Sequence, residues 1–252
     1  MNFKILKKIV GIFGFKLIDK NLIKNERLVK ENSFFSLNSI FKKLFFLKLI
    51  KNIIQIGAND GKRFDEINFF IKKFKTKAIL IEPIKKNFLE LKKNYKNSKN
   101  VIFENSAITK KNDIVYLFKV KDSCLNEYDD HIKGLNSFDI NHLIKHGVKK
   151  KHIIKERVLT LTFNKLLKKY QLKKLDLLLI DAEGYDGDLV IEFLRLKKFR
   201  PVIIFEYIHI KNDKLKKLIL LLKKHNFYFF DINENMICFP TKFKKIKEII
   251  NL

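Results

Sequence analysis

Cysteine is nearly missing from this 252-residue chain: Cys124 and Cys238 are its only two. They support neither a disulfide framework nor a thiolate metal site, and a reducing cytoplasm is the expected compartment. Arginine is almost as scarce. Of 54 basic residues only Arg27, Arg63, Arg157, Arg195 and Arg200 are arginines, and lysine supplies the rest of a formal net charge of +27. A charge of that size ordinarily points to a polyanionic partner, because clustered basic groups release counterions on binding phosphates. Here the side chain favoured for bidentate phosphate and guanine contacts is the one in short supply, so nucleic acid is not the expected partner. The lysine excess accompanies heavy use of Ile, Asn and Phe, the profile of a compositionally biased genome.

Long apolar runs are also lacking. Ile9 to Phe15 is too short to span a bilayer and no small-residue cleavage site follows it, so secretion is not expected. The segment around it, Met1 to Phe15, alternates lysines with apolar residues as a basic amphipathic helix does. Such a helix packs on its own domain or a partner, or rests on an anionic surface, which adds a peripheral contact at the inner membrane face to the cytoplasmic expectation. No G-x-x-x-x-G-K-[ST] phosphate loop occurs, and there is no internal repeat or low-complexity linker. His142 and His146 stand four residues apart but lack the Glu of an H-E-x-x-H zinc helix. With His131 they are read as solvent-facing side chains, and no metal site is assigned.

With 46% hydrophobic residues the chain can bury one sizeable core. It reads as a helical extension over 1–50, in which Ile40 to Ile50 leads into the first core strand, followed by one α/β domain over 51–252. The first strand runs into I-I-Q-I-G-A-N-D-G, Ile53 to Gly61, where two glycines bracket a tight turn before helical spacing resumes at Phe64, Ile67, Phe70, Ile71 and Phe74. Further strands follow at Ala78 to Ile81, Val101 to Phe103, Arg157 to Leu161, Leu175 to Ile180 and Pro201 to Phe205, and Ile114 to Val120 suits an antiparallel strand off the main sheet. The nearly unbroken run Leu175 to Ile180 is that of a central parallel strand covered on both faces. Ser123 to Lys151 is polar, breaks the strand-helix rhythm, and is read as an insertion carrying substrate contacts (123–151).

The core strands end, in order, at Gly57, Glu82, Glu104 to Ser106, Asp181 and Glu206. In an open parallel sheet these ends share one edge, where ligands bind near the topological switch point. Any one acid after a strand is as readily a helix cap as a site residue; the joint arrangement raises the functional reading. The loop Gly57-Ala58-Asn59-Asp60-Gly61 departs from the dinucleotide pattern G-x-G-x-x-G, and an acid within it sits badly against a pyrophosphate. A nucleoside without phosphates but with a cationic group, such as S-adenosylmethionine, tolerates it.

Five stretches, I-I-Q-I-G-A-N-D-G, I-L-I-E-P, E-N-S-A-I, L-L-L-I-D-A-E-G-Y-D and V-I-I-F-E-Y-I-H, together resemble the FkbM family of S-adenosylmethionine-dependent methyltransferases, from about Ile53 to His209. The resemblance implies a Rossmann-like, doubly wound, mostly parallel sheet of about seven strands with helices on both faces and one antiparallel edge strand. It implies methyl transfer to a hydroxyl acceptor, often a sugar, glycolipid or secondary metabolite. Carried onto this chain, Gly57, Asn59 and Gly61 contact the methionine part of the cofactor and Glu82 accepts both ribose hydroxyls. Asn105 or Ser106 borders the adenine, and Gln55 contributes a hydrogen bond where an acid is common in methyltransferases. Asp181, Glu183 and His209 are the candidate bases for the acceptor's proton, with a divalent ion on Asp181 and Glu206 as the alternative way to acidify it. Two other classes stay open: an RNA or DNA methyltransferase, and a non-catalytic membrane-associated protein that kept the fold.

Overall fold

The structure is a computed structural model that describes residues 36–63 and 65–243. The basic pattern over Met1 to Phe15 and the helical position Phe64 lie outside the described residues. Among the described residues no helix is long and apolar enough to cross a membrane.

Helix α1 (Leu37–Phe46) opens on a reciprocal cap: Ser36 Oγ accepts from the Ser39 amide at 3.1 Å and the Ser36 amide donates to Ser39 Oγ at 2.8 Å. Its Ile40, Phe41, Leu44 and Phe45 recur at helical spacing and are buried. Strand β1 (Asn52–Ile56) follows, then α2 (Asn68–Phe74), β2 (Lys77–Ile81), α3 (Lys85–Asn94) and β3 (Val101–Glu104). A second layer of strand begins with β4 (Ala107–Ile108) and β5 (Ile114–Val120). The insertion adds a short helix α4 (Asp130–Lys133), β6 (Asn136–Ser137) and α5 (Ile140–Lys145) before β7 (Ile153–Leu161). The chain then returns to the main sheet through α6 (Phe163–Lys169), β8 (Leu177–Ile180), α7 (Asp186–Arg195), β9 (Val202–Glu206), α8 (Asn212–Lys224), β10 (Phe227–Ile232) and β11 (Asn235–Pro240).

The main sheet has seven strands in the order β10-β11-β9-β8-β1-β2-β3. Register pairs Ile54 with Ile79 on one side and Leu178 on the other, and Leu178 with Ile203, so the apolar runs form a continuous band. One face is covered by α6, α7 and α8, with Leu166, Val190, Phe193, Leu218 and Leu222 buried against it. The other is covered by α1, α2 and Leu91 of α3, where Phe45 stacks on Phe70 with ring centroids 5.0 Å apart. Helices on both faces are why β1, β2, β8 and β9 carry hardly a polar residue. The chain leaves β1 toward β2 and β3, then returns past β1 to β8 and β9, which puts the switch point between β1 and β8.

The antiparallel strand is β11, which lies between β9 and β10 and not at the edge as the resemblance implied. A hairpin reverses direction at its turn, so β11 pairs with β9 while β10 takes the outer position. The run Arg157 to Leu161 is the second half of the nine-residue β7, which joins β4, β5 and β6 in a separate four-stranded sheet. This sheet packs Leu117 and Val158 onto Ile84 and Ala107, above the ends of β2 and β3. The insertion has a small core of its own, Val120, Ile132, Leu135, Leu143 and Val148, and is thereby held over the same edge of the main sheet.

Candidate active site

At the switch point the tips of β1 and β8 touch. Gly57 has φ +79° and a β-carbon on it would lie 1.8 Å from the backbone oxygen of Asp181. Backbone bonds hold the tip of β1 on both sides: the Asp181 amide donates to Ile56 O at 3.0 Å, joining β8 to β1, and the amides of Gly57 and Ala58 both donate to Ile81 O at 3.0 Å, joining β1 to β2. Two hollows open on either side of this seam. The wider, about 260 Å³, is bounded by Leu37 and Phe41 of α1, Gln55, Asn59, Asp181 and Glu206. The narrower, about 50 Å³, is bounded by Glu82, Ser106, Phe138, Glu183 and Tyr185.

Acids dominate this edge of a strongly basic protein. Asp65, Glu66, Asp181, Glu206 and Glu234 border the wide hollow, Glu66 and Glu234 standing exposed on its rim. Their charges crowd one another. Glu206 is pushed up to about 8, first by burial and then by Asp181, Glu183 and Glu234. Asp181 and Glu183 are both raised, by burial and then by acidic neighbours, Glu234 for Asp181 and Asp181 and Glu234 for Glu183. The Asp181 carboxylate is walled by protein yet open at the mouth of the cleft, so solvent moderates its shift more than that of Glu183. Asp65 is raised by burial although it accepts from the Tyr95 hydroxyl at 3.1 Å, the Ile67 and Asn68 amides and Gln55 Nε2. Acids held so close ionise together only when a cation joins them.

Glu82 is 2% exposed and sits at the seam itself. One carboxylate oxygen accepts from the Asn59 amide at 3.0 Å and the other from the Ile84 amide at 2.9 Å, so it ties the glycine turn to the start of α3. Burial raises its pKa to about 7 against the lowering effect of those amides. The Asn87 side chain is a third donor to it, which leaves the carboxylate room for a further one.

The D-A-E-G turn is shaped by Asp186, which is fully buried and accepts from the Ala182 and Gly184 amides, both at 3.2 Å. That grip places Glu183 at φ +48°, a left-handed conformation that costs a non-glycine residue about 1 to 2 kcal/mol. Its backbone oxygen accepts from Ser137 Oγ at 2.9 Å and its carboxylate meets His142 Nε2 at 3.1 Å. His209, after β9, has Nε2 3.7 Å from Glu206 Oε1. His142 and His209 are both lowered, chiefly by burial, so they are neutral at pH 7. His142 is therefore not solvent-facing, and His146 is half-buried: α5 folds back onto the turn, His142 is buried, and the His142 and His209 ring centroids lie 4.6 Å apart.

Gln55, Gly57, Asn59 and Asp181 line the wide hollow, and Glu82, Ser106 and Glu183 the narrow one. Gly61 and Asn105 line neither. Gly61 lies under Leu91 and Tyr95, where a β-carbon would come within 2.4 Å of the Leu91 side chain, so its smallness serves the packing of α3. Asn105 donates to the carbonyls of Glu82 and Pro83 at 2.8 and 3.0 Å and braces the end of β2. Asp60 does not face the site either: it accepts from the Lys62 and Arg63 amides and from Arg63 Nε at 2.6 Å, and shapes its own loop. The acids that exclude a pyrophosphate are instead Asp65, Glu66 and Glu234, which the strand-end pattern does not include. Asp65 stands beside Gln55 and supplies the acid that Gln55 lacks.

Two buried side-chain atoms have no hydrogen-bond partner among the described residues, Gln55 Oε1 and Ser106 Oγ. The residues that carry them each line one of the two hollows, while the atoms themselves are closed off from it. The sequence model of the methyltransferase FkbM domain family matches residues 55–229. No curated protein sequence matches the chain. Among solved structures, the chain is similar to a methyltransferase FkbM from Methylobacillus flagellatus KT, at 10% identity over 76% of this chain and 44% of that one, TM-score 0.44. It is similar to a methyltransferase from Geobacter sulfurreducens, at 9% identity over 94% of this chain and 97% of that one, TM-score 0.42. It is also similar to the Methanococcus jannaschii fibrillarin pre-rRNA processing protein, at 12% identity over 76% of this chain and 66% of that one, TM-score 0.39. The chain thus spans less than half the length of the Methylobacillus protein and about two thirds of the fibrillarin.

Proposed function

This chain belongs to the FkbM methyltransferase family, and on that premise we propose that it moves a methyl group from S-adenosylmethionine to a hydroxyl of a sugar, glycolipid or secondary metabolite. The observation that carries the reading is the ring of raised carboxylates at the switch point of a chain whose net charge is +27. A cleft of this sign repels a dinucleotide and receives a cation.

The residues fit the donor. Glu82 is a buried carboxylate at the seam, suited to a ribose hydroxyl, and Ser106 lies on the adenine side. Gln55, Gly57, Asn59 and Asp65 offer a side-chain amide, backbone and a carboxylate to the methionine part. When bound, the donor supplies a methyl group on a positively charged sulfur, already activated for displacement. The protein then has to orient the acceptor and take its proton. The second of these favours a hydroxyl acceptor: a hydroxyl holds its proton tightly and is a poor nucleophile until it is removed. A base works best with a pKa near the operating pH, as Glu206 has at about 8. Asp181, Glu183 and His209 stand within the same group, and Glu183 is positioned by His142.

Calorimetry with S-adenosylmethionine tests the donor, and its pH dependence tests the carboxylates. With Glu82 titrating near 7, the ionised fraction rises from about one tenth at pH 6 to about nine tenths at pH 8, so binding is expected to tighten about tenfold across that interval. Affinity that is flat with pH, or no binding, overturns the assignment of Glu82. A screen with radiolabelled donor tests the acceptor: label in an ether on a glycan, lipid headgroup or metabolite supports the hydroxyl reading. Label found only on amines or polynucleotide sinks it.

A further inference from the structure

Three histidines that the methyl-transfer reading uses only in part converge from separate elements. His142 and His146 come from the insertion helix α5 and its end, His209 from the turn after β9, and one ligating atom of each lies within 4.8 Å of those of the other two. Their ring centroids are 4.6 to 5.2 Å apart. Glu183 and Glu206 share the locus, since their carboxylate oxygens and a nitrogen of His209 satisfy the same 4.8 Å limit. We propose that this cluster is a binding site for a first-row divalent transition-metal cation, held by His142, His146 and His209 with Glu183 and Glu206 as the carboxylate donors.

The His142–Glu183 separation is that of two ligands on one ion, and the His209–Glu206 separation is somewhat wider. Two donors each about 2.1 Å from a metal stand about 3.0 Å apart at a right angle and about 3.4 Å apart at the tetrahedral angle. His142 Nε2 and Glu183 Oε2 are 3.1 Å apart, and His209 Nε2 and Glu206 Oε1 3.7 Å. The donor set also selects the metal. Magnesium and calcium are bound by oxygen alone, whereas imidazoles with carboxylates suit zinc, iron, cobalt, nickel and manganese. The three segments are brought together by contacts that exist without an ion: Ser137 Oγ binds the Glu183 backbone, Phe138 packs edge-on against Tyr185 at 5.0 Å, and Gly184 leaves room beneath the His142 and His209 rings. Glu206 borders the wide hollow and Glu183 the narrow one, so a metal here lies between them. An acceptor oxygen taking an open coordination position would lose its proton more readily. That use of the ion, though not its binding, rests on the methyltransferase reading.

Cobalt(II) is the probe, added to chelator-treated full-length protein without methyl donor and followed by its visible d–d absorption. The expected result is saturable one-to-one binding without a sulfur charge-transfer band, unchanged by Cys124→Ser. His146→Ala and His209→Ala should each weaken it at least tenfold, with circular dichroism confirming that both variants fold. Absence of saturable binding to the wild type overturns the site, as does binding that both histidine variants leave unchanged. A charge-transfer band removed by Cys124→Ser would place the ion at Cys124, Glu127 and His152 instead and equally overturn it. Since no donor is present, each negative result leaves the methyltransferase assignment standing; a protein that binds cobalt but not S-adenosylmethionine would fail that assignment alone.

Discussion

Gly57→Ala is expected to destabilise the protein by about 4 kcal/mol or more, lowering the thermal midpoint by roughly 8 to 16 °C. Two costs combine. The backbone stands at φ +79°, where a side chain is strained by about 1 to 2 kcal/mol. In addition the new carbon would lie 1.8 Å from the Asp181 carbonyl oxygen, which is backbone and cannot swing aside. Relief requires separating the tips of β1 and β8, and with them the bond from the Asp181 amide to Ile56 O. Gly147→Ala isolates the first cost, because Gly147 has φ +86° but nothing within 4 Å of where a β-carbon would go. Scanning calorimetry of the two variants compares them directly, and equal losses would refute the clash argument. A folded Gly57→Ala protein should also bind S-adenosylmethionine poorly, since the seam that must move forms the wall between the two hollows.

What could be read from the chain, and what could not, follows from how local each feature is. The strands of the main sheet were legible because a strand buried on both faces leaves an uninterrupted apolar run, as in Leu177–Ile180. The polar residue that ends each run falls on the ligand edge by topology alone, which is why Gly57, Glu82, Asp181 and Glu206 could be named without coordinates. The resemblance added the sheet's strand number, but which strand ran antiparallel depended on the hairpin turn at Asn233 and Glu234. That turn is also what carries Glu234 to the site. Asp65 was missed for a different reason: it follows the glycine turn as one polar residue among several, and only folding shows its carboxylate beside Gln55. Asp60 and Gly61 illustrate the converse, since a motif residue can serve its own loop or a neighbouring helix. The histidine cluster has no local signature at all. Its third member lies more than sixty residues further along the chain, and an i, i+4 pair without a flanking acid gives no hint that Glu183 and Glu206 lie beside it.

Glu82→Gln is expected to weaken S-adenosylmethionine binding by about one to two orders of magnitude, because a hydrogen bond from a hydroxyl to a charged acceptor contributes about 1.5 to 3 kcal/mol. The substitution preserves shape and removes the charge, so the loss isolates the carboxylate. It should also remove the part of the pH dependence of binding centred near 7. The ligand-free protein offers an independent check through its stability. Folding raises the Glu82 pKa from 4.5 to about 7, so the folded state holds a proton that the unfolded state releases. Its contribution is therefore fully present below pH 4.5 and is lost as pH rises through 7, about 3 kcal/mol in all. The variant has no such proton. The wild type's stability relative to Glu82→Gln should thus fall by about that amount between pH 4.5 and pH 8, measured by denaturant unfolding at each pH. Glu206 and Glu183 titrate in both proteins and cancel in the comparison. Adding the cationic donor at pH 8 should recover stability in the wild type, where it neutralises the buried charge, and recover little in the variant. A constant difference across pH would mean that folding leaves the Glu82 pKa at its unfolded value, and would take away the expected pH dependence of donor binding.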